Sequence, residues 1–347
     1  MSTLNQLSLQ YPIFLAPMAG VSTPQLAAEV SNAGGLGSLG LGASSIESCR
    51  EQILKTQALT DQAFQVNFFC HRSEVLDPDV AQQWIQHLQP YFAQFGHHAP
   101  EQLNCIYPSF LDSDDYLHLI LELRPAAVSF HFGIPHPHQI QALKEAGIIT
   151  MVTATNLNEA QAIEQAGIDL IIAQGIEAGG HRGIFHPQRD AALSTAELVQ
   201  LLHQYCNLPI VAAGGIMNGQ HAQHLLDLGA SAVQLGTAFI QCSSSNANTM
   251  YREALFDEPV TQISAAISGR PARGIVNDWH KWIEQLDRPE IPVYPYSYDI
   301  AKQLHQLAAQ QQHQGFAAFW AGSQVAEIRQ LEAAELIYTL AKEMRLA

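Results

Sequence analysis

Short apolar stretches alternate with longer amphipathic ones between residues 12 and 240, and this alternation predicts parallel strands joined by helices. The apolar stretches are rich in β-branched residues and are short for helices. We predict strands at Pro12–Ala16, Gly35–Gly40, Phe64–Phe69, Ala126–Phe130, Ile148–Thr153, Leu170–Ala173, Pro209–Ala213 and Ala232–Leu235. A further candidate, Leu103–Tyr107, lacks a β-branched run, so we interpret it as an excursion from the main pattern.

The stretches between these strands carry helix signals. Thr23 offers a capping hydroxyl and Pro24 suits the first turn of a helix over Thr23–Ala33. Further helices are predicted at Ser44–Leu59, Asp79–Phe95, Tyr116–Leu123, Pro137–Ala146, Leu157–Ala166, Ser194–Cys206 and Gly219–Leu228. Strands and helices in this alternation predict an α/β fold, a TIM (β/α)8 barrel over residues 1–240. An open, doubly wound parallel sheet is the alternative.

The pattern changes after residue 240. A Ser- and Asn-rich stretch over residues 243–248 is followed by helical patterns and prolines, and no strand is predicted there. The predicted helices are Met250–Phe256, Lys281–Leu286, Tyr298–Gln312 and Gln324–Arg345. We therefore predict a helical cap that forms a substrate region over residues 241–310, and helices that close on the barrel over residues 311–347.

Composition narrows the classes of partner. The chain of 347 residues carries 16 Lys and Arg against 32 Asp and Glu, and its net charge of −16 argues against nucleic acid or an anionic membrane as a partner. The N-terminus shows no signal-peptide pattern, and the five scattered cysteines fit reduced thiols, so we expect a cytoplasmic protein. The histidines lack ligand-like spacing, and no metal is expected. The oligomeric state is left open between a monomer and a homodimer.

Glycine-bearing turns follow three successive predicted strands. They are the loop 173–183, Gly214-Gly215 and Gly236-Thr237. In a barrel the turns after the last two strands commonly bind phosphate, since glycine lets an anion approach backbone N–H groups. Glycines that simply end strands are the alternative. Neither a Gly-x-Gly-x-x-Gly motif before a helix nor a P-loop motif stands at a suitable place, which disfavours a tightly held nicotinamide or ATP.

Several of these motifs together resemble the nitronate monooxygenase family. The stretches 12–20, 31–37, 174–183 and 214–237 are similar to its signatures, and parts of them are shared with FMN-dependent enoyl and quinone reductases. Ser129-Phe130-His131-Phe132-Gly133 and Tyr294-x-x-x-Tyr298-x-x-x-Lys302 resemble the bacterial, class I members. Spacing by four predicts that the last three residues share one helix face, although Pro295 makes the Tyr294 end uncertain.

The resemblance implies an FMN-binding barrel. The FMN phosphate would lie on Gly214, Gly215, Gly236 and Thr237, while Asn67, Gln174 and Gly179 would contact the ring or the ribityl chain. The implied cofactor set is completed by Pro17, Met18, Ala19, Gly180, Gln234 and Leu235. The implied reaction is oxidation of alkyl nitronates, such as propionate 3-nitronate, by O2 to a carbonyl compound and nitrite or nitrate. The alternatives are an NAD(P)H-dependent FMN reductase acting on quinones or enoyl thioesters, and a flavin-binding protein without turnover.

His131 is the predicted catalytic residue. Its imidazole could take a proton from, or donate a hydrogen bond to, a nitroalkane or nitronate oxygen. The alternative is a histidine that is merely hydrogen-bonded at a strand end. Predicted substrate-binding residues are Tyr107, His181, Tyr294, Tyr298 and Lys302, for which loop geometry, packing or a solvated helix face are the alternatives.

Two further expectations concern the surroundings of the loop 173–183. Arg182 is expected to anchor this loop through a carboxylate such as Glu177. The segment 320–323 is expected to fold back near the top of the barrel.

Overall fold

An eight-stranded parallel sheet curves into a barrel in the computed structural model, which describes residues 3–257 and 259–347. The strands of the chain are β1 (Ile13–Leu15), β2 (Gly37–Gly40), β3 (Phe64–Phe69), β4 (Ala127–His131), β5 (Ile149–Ala154), β6 (Leu170–Gln174), β7 (Gly180–His181), β8 (Ile210–Ala213), β9 (Ala232–Leu235), β10 (Thr261–Ser264) and β11 (Ala272–Ile275). The sheet order is β1-β9-β8-β6-β5-β4-β3-β2.

The first and last strands of this order meet. A parallel bridge joins Phe14 to Leu36, and the amide of Leu15 donates to the Leu36 carbonyl at 2.9 Å. An open, doubly wound sheet leaves its two edges apart, so this contact excludes the alternative fold. The TIM-barrel prediction is confirmed.

Helices pack around the barrel and beside it. They are α1 (Pro24–Asn32), α2 (Ile46–Leu59), α3 (Pro78–Gln94), α4 (Asp115–Leu123), α5 (Pro137–Glu145), α6 (Leu157–Gln165), α7 (Thr195–Tyr205), α8 (Gly219–Asp227), α9 (Thr249–Ala254), α10 (Tyr296–Gln310) and α11 (Ala333–Glu343). Leu103–Tyr107 forms no strand, which agrees with the interpretation of this stretch as an excursion from the barrel pattern. Within the described residues, no helix combines the length and the apolar character needed to span a bilayer.

Alternation along the strands divides the barrel interior into an apolar and a polar zone. On β5, Ile149 and Met151 belong to an apolar cluster inside the barrel, whereas Thr153 lines a cavity at the strand end. Side chains two residues apart on a strand point to the same face. The inward-facing side chains of β5 therefore contribute first to the apolar core and then, at the end of the strand, to the cavity wall. The cavity therefore lies at the carboxyl end of the barrel, where TIM barrels hold their ligands.

A second apolar core lies beside the barrel. It contains Trp84 of α3, Leu304 of α10 and Trp279, whose Nε1 donates to the Phe316 carbonyl at 2.9 Å. Trp279 belongs to a short π-helix, Trp279–Ile283, where the sequence predicts an α-helix over Lys281–Leu286. α3 lies between β3 and β4 in the chain, whereas Trp279 and α10 follow β11, so this core joins distant parts of the chain. The predicted division at residues 240 and 310 does not capture that packing and stays a prediction.

The prediction that no strand follows residue 240 is wrong. β10 and β11 pair antiparallel, and β11 also pairs with β7, so that Ala272 lies opposite His181. β7 has only two residues, and its partner lies far along the chain. A periodicity argument does not detect such a short, non-local pairing.

The prediction of one long terminal helix over Gln324–Arg345 is also wrong. A short 3-10 helix at Val325–Glu327 is followed by extended backbone at Ile328, and α11 begins only at Ala333. Arg329 donates to Glu343 at 2.7 Å and to the Met217 carbonyl at 2.8 Å. These contacts hold the stretch before α11 against two other parts of the fold.

The loop after β6 is anchored by Arg182, which is fully buried. Its guanidinium contacts both carboxylate oxygens of Asp190, at 2.7 and 3.1 Å, and donates to the Gly175 carbonyl at 2.6 Å. The predicted partner Glu177 is not used, because its carboxylate accepts from the amide and the hydroxyl of Thr195 at the start of α7. Although partial burial opposes it, hydrogen bonding from Arg182 keeps the pKa of Asp190 below its ordinary value.

Replacing Asp190 by alanine should destabilise the protein. The change leaves the buried Arg182 charge without its counterion, a loss of about 3 kcal/mol in the free energy of unfolding. Urea unfolding followed by circular dichroism measures the effect. Glu122→Ala is the matched control, since it breaks an arginine pair whose side chains are 40% and 57% exposed and should barely move the midpoint. Equal midpoints for the two variants would refute the anchoring role.

Candidate active site

A cavity of about 440 Å³ opens at the carboxyl ends of the barrel strands. Every predicted site residue lies along its wall. These residues are Pro17, Met18, Ala19, Asn67, Tyr107, His131, Gln174, Gly179, Gly180, His181, Gly214, Gly215, Gln234, Leu235, Gly236, Thr237, Tyr294, Tyr298 and Lys302. The fold thus brings together residues from distant parts of the chain.

The wall has an unusual charge balance for so acidic a chain. Among the described residues that line the cavity there is no aspartate or glutamate, and Lys302 supplies a positive charge. Nearby charges interact strongly where water is partly excluded. The cavity therefore favours an anion although the whole chain carries −16.

The glycine turns after β8 and β9 form one end of the cavity. Gly214 and Gly215 have φ angles of +121° and +69°, in the region that side chains disfavour. The backbone N–H groups of Gly215 and Thr237 donate no hydrogen bond to another described residue. The Thr237 hydroxyl oxygen accepts from the Gly322 amide at 3.0 Å, which leaves its own proton to donate. These donors fit a phosphate group.

Two side-chain amides offer complementary groups deeper in the cavity. The Asn67 amide nitrogen donates to Ser129, at 3.1 Å to its carbonyl and 3.0 Å to its hydroxyl, and Asn67 Oδ1 has no partner among the described residues. Gln234 Oε1 accepts from Gln65 at 3.4 Å, and its amide nitrogen donates to no described residue. One free acceptor and one free donor fit a flavin ring, whose edge displays both kinds of group.

Gln174 is hydrogen-bonded within the loop, and its predicted contact with the cofactor stays a prediction. Its Nε2 donates to the His181 carbonyl at 2.9 Å, and its Oε1 accepts from the Gly183 amide at 2.8 Å and from Arg182 at 3.0 Å. Its acceptor is thus used within the loop. The side chain fixes the path of residues 174–183 rather than offering a free carbonyl to a ligand.

The hydrogen bonds of His131 limit the chemistry predicted for it. Nε2 lies 3.1 Å from the His181 carbonyl, which can only accept, so Nε2 carries the proton. Nδ1 lies 3.0 Å from the Thr153 hydroxyl, which donates to it in the neutral ring. Burial, with the charges of Arg270 and Arg182, lowers the pKa of His131 to about 4. Neither ring nitrogen is free to accept a proton or to donate to a ligand in this arrangement.

The tyrosines and Lys302 form the rim of the cavity on the cap side. Lys302 Nζ donates to the Tyr107 hydroxyl at 2.8 Å, and the Tyr298 ring centroid lies 5.8 Å from that of Tyr107. Burial raises the pKa of both Tyr107 and Tyr298 to about 12, so both hydroxyls keep their protons at neutral pH.

Tyr294 also lines the rim, but it does not lie on the helix on which it was predicted. It precedes α10, which begins at Tyr296, so it does not share the helix face of Tyr298 and Lys302. The correction follows from the backbone, because Pro295 stands at the start of the helix and not inside it. The hydroxyl of Tyr294 is buried without a partner among the described residues.

The sequence analysis did not predict some of the residues that line the cavity. Thr153 could have been found, because it ends a predicted strand on the inward side. Tyr251 of α9 gives no comparable signal, since its position depends on a hydrogen bond from its hydroxyl to the Trp320 carbonyl. Trp320 and Gly322 also line the cavity, which confirms that the segment 320–323 returns to the top of the barrel.

Comparison with known proteins agrees with this geometry. A sequence model of the nitronate monooxygenase family matches residues 1–343. A nitronate monooxygenase of Pseudomonas aeruginosa is 49% identical over 342 residues, covering 98% of this chain and 97% of that protein. A nitronate monooxygenase of Paraburkholderia phytofirmans is 48% identical, with 98% and 93% covered.

A solved structure gives the same result. The nitroalkane oxidase of Streptomyces ansochromogenes superposes with a TM-score of 0.88 at 35% identity, and the match covers 99% of this chain and 98% of that one. Both the sequence and the fold are therefore similar over nearly the full length. The chain belongs to the nitronate monooxygenase family and is an oxidoreductase.

Proposed function

We propose that this protein is an FMN-dependent nitronate monooxygenase that oxidises alkyl nitronates, such as propionate 3-nitronate, with O2 to a carbonyl compound and nitrite or nitrate. The observation that carries the proposal is the cavity itself. Unpaired backbone N–H groups lie at one end, and a lysine with tyrosine hydroxyls lies at the other, without a carboxylate among the described wall residues. Such a site suits a phosphate-bearing cofactor together with a small anionic substrate.

The turns after β8 and β9 would hold the FMN phosphate through Gly214, Gly215, Gly236 and Thr237. Asn67 and Gln234 would meet the polar edge of the ring, beside the backbone of residues 17–19. When bound, the flavin supplies the redox chemistry by taking electrons from the substrate and passing them to O2. Gly179, Gly180 and Leu235 line the same wall and would complete the cofactor surface.

The rim residues would bind the nitronate. Lys302 balances its negative charge, and the Tyr107 oxygen accepts from Lys302, so the Tyr107 proton is available for a nitronate oxygen. Tyr294 adds a second donor, since its hydroxyl has no partner among the described residues. Two oxygens on a planar nitronate can accept from both, which orients the substrate as well as binding it.

The histidines favour the nitronate over the neutral nitroalkane. Burial lowers the pKa of His131 to about 4 and that of His181 to about 3, so neither is a strong base. A neutral nitroalkane must lose a proton before it is oxidised, whereas a nitronate has already lost it. We therefore assign His131 the role of holding the His181 carbonyl in place, and the predicted role as a catalytic base is not supported by its hydrogen bonds.

The function is tested by anaerobic stopped-flow measurement of the purified holoenzyme. Nitronate should reduce the bound flavin rapidly, while NADH and NADPH leave it oxidised over the same time. The nicotinamide experiment addresses the alternative, a flavin reductase for quinones or enoyl thioesters. Rapid reduction by NADPH with none by nitronate would replace the proposed function by that alternative.

Lys302→Met should weaken nitronate oxidation. Removal of a charged hydrogen-bond donor from the rim is expected to lower kcat/KM by about 10- to 100-fold, with an unchanged FMN content. Steady-state O2 uptake with nitronate measures this loss. Lys55→Met, which removes an exposed lysine of α2 that does not line the cavity, serves as the control. Equal losses in both variants would exclude a role for Lys302 at the site.

The pH profile for nitronate should show no histidine titration near neutrality. The folded pKa values of His131 and His181 are lowered from 6.5 to about 4 and about 3, so both rings stay neutral as the pH falls from 8 to about 5. We expect kcat/KM to be free of a transition centred near the ordinary histidine pKa. A transition between about pH 6 and about pH 7 in O2 uptake with preformed nitronate, abolished by His131→Asn, would contradict this account.

A further inference from the structure

The segment 268–273 packs directly against the turn that carries His181. β11 pairs with β7, the Arg182 amide donates to the Pro271 carbonyl at 2.8 Å, and Arg270 donates to the Ile184 carbonyl at 2.9 Å. No sequence motif points to this segment. It nevertheless forms a second support for the loop, in addition to the Arg182–Asp190 ion pair.

Ser268 makes three contacts that together fix the position of one proton. Its hydroxyl is fully buried and lies 3.1 Å from the Arg270 carbonyl, 3.3 Å from the Arg270 amide and 2.8 Å from His181 Nε2. A carbonyl can only accept, so the single hydroxyl proton goes to the Arg270 carbonyl. The hydroxyl oxygen then accepts from the Arg270 amide and from His181. This is the one assignment that satisfies all three contacts, and it places a proton on His181 Nε2.

The other nitrogen of His181 is left with its lone pair. Nδ1 makes no hydrogen bond to another described residue, and the ring lines the cavity. His131 differs, because both of its ring nitrogens already have partners. Of the two described histidines that line the cavity, His181 therefore offers the lone pair that a ligand can use.

The groups around His181 favour its neutral form. Tyr294 and Tyr298 lie 5.8 and 6.0 Å away between ring centroids, Trp320 lies 5.3 Å away, and His131 contacts the carbonyl of the same residue. Burial lowers the pKa of His181. The charge of Arg270 lowers it further, and so does that of His131 once His131 is protonated at low pH. The Arg270 guanidinium lies 4.5 Å from the Phe132 ring, behind the same wall.

We propose that Ser268 is a positioning residue that holds His181 in its Nε2–H tautomer, so that Nδ1 acts as a hydrogen-bond acceptor for a donor group of the bound ligand. The donor is an N–H or O–H group of the flavin, since a nitronate anion offers no such donor at its reacting end. The link to a flavin rests on the proposed function, whereas the tautomer does not.

The tautomer is tested directly by ¹⁵N NMR of the holoenzyme labelled at histidine. The His181 signals, assigned by their loss in His181→Gln, should show a protonated Nε2 and an unprotonated Nδ1 at pH 7. Ser268→Ala should give a mixture of tautomers, and Ser268→Thr, which keeps the hydroxyl, should restore the wild-type pattern. If the wild-type spectrum shows the His181 proton on Nδ1, or protons on both ring nitrogens, that spectrum alone would overturn the proposal.

FMN affinity tests the acceptor role of His181. Ser297→Ala is the matched control, because Ser297 is also fully buried and its hydroxyl donates to the Ala266 carbonyl at 3.0 Å. Ser268→Ala should weaken FMN binding to the apoprotein by about 5- to 10-fold relative to Ser297→Ala.

A shifted tautomer with an unchanged FMN affinity would refute the acceptor role. Absence of any oxidation of nitronate by the wild-type enzyme would instead refute the proposed function. In that case the NMR result and the FMN affinities would still decide the role of Ser268. The two failures are therefore distinguishable.

Discussion

The geometry of the site depends on one buried guanidinium. Arg182 has no exposed surface, and its charge is balanced by both oxygens of Asp190. Its remaining donors hold the Gln174 side chain and the Gly175 carbonyl. Gln174 in turn holds the His181 carbonyl, which also accepts from His131. One ion pair thus organises, through successive hydrogen bonds, the loop that forms a wall of the cavity. Leaving such a charge unpaired is costly, so the loop has little freedom to rearrange.

The charge distribution explains how an acidic protein can take an anionic substrate. The net charge of −16 would repel an anion at long range, but solvent ions screen such interactions over about 8 Å at physiological salt. Within the cavity the local groups decide. The described wall residues include Lys302 and tyrosine hydroxyls that keep their protons, and no carboxylate. The histidines, held neutral by burial, add no charge of their own at neutral pH.

Local patterns allowed much of the fold to be predicted. The barrel strands are buried apolar runs, and the glycine turns follow them in the order that a barrel requires, so both are visible in the sequence. The pairing of β7 with β11 was missed because it joins two residues of a loop to a strand far along the chain. Tyr294 was placed on a helix that begins only after it. Glu177 was predicted as the carboxylate partner of Arg182, whereas the structure pairs Arg182 with Asp190. The sequence shows which carboxylates are close along the chain, but not which one the folded loop brings next to the guanidinium.

The roles of single side chains were the least predictable part. Gln174 and His131 line the cavity as expected, but their polar atoms are engaged by the protein. Only the complete set of hydrogen-bond partners separates a free group from one that is already used. The central claim is that this cavity oxidises a nitronate anion with O2. Simultaneous measurement of O2 uptake and of nitrite and nitrate formed from propionate 3-nitronate tests it most directly. The account predicts rapid uptake with nitrite and nitrate together matching the substrate consumed, and uptake no faster than that of the enzyme-free solution would contradict it.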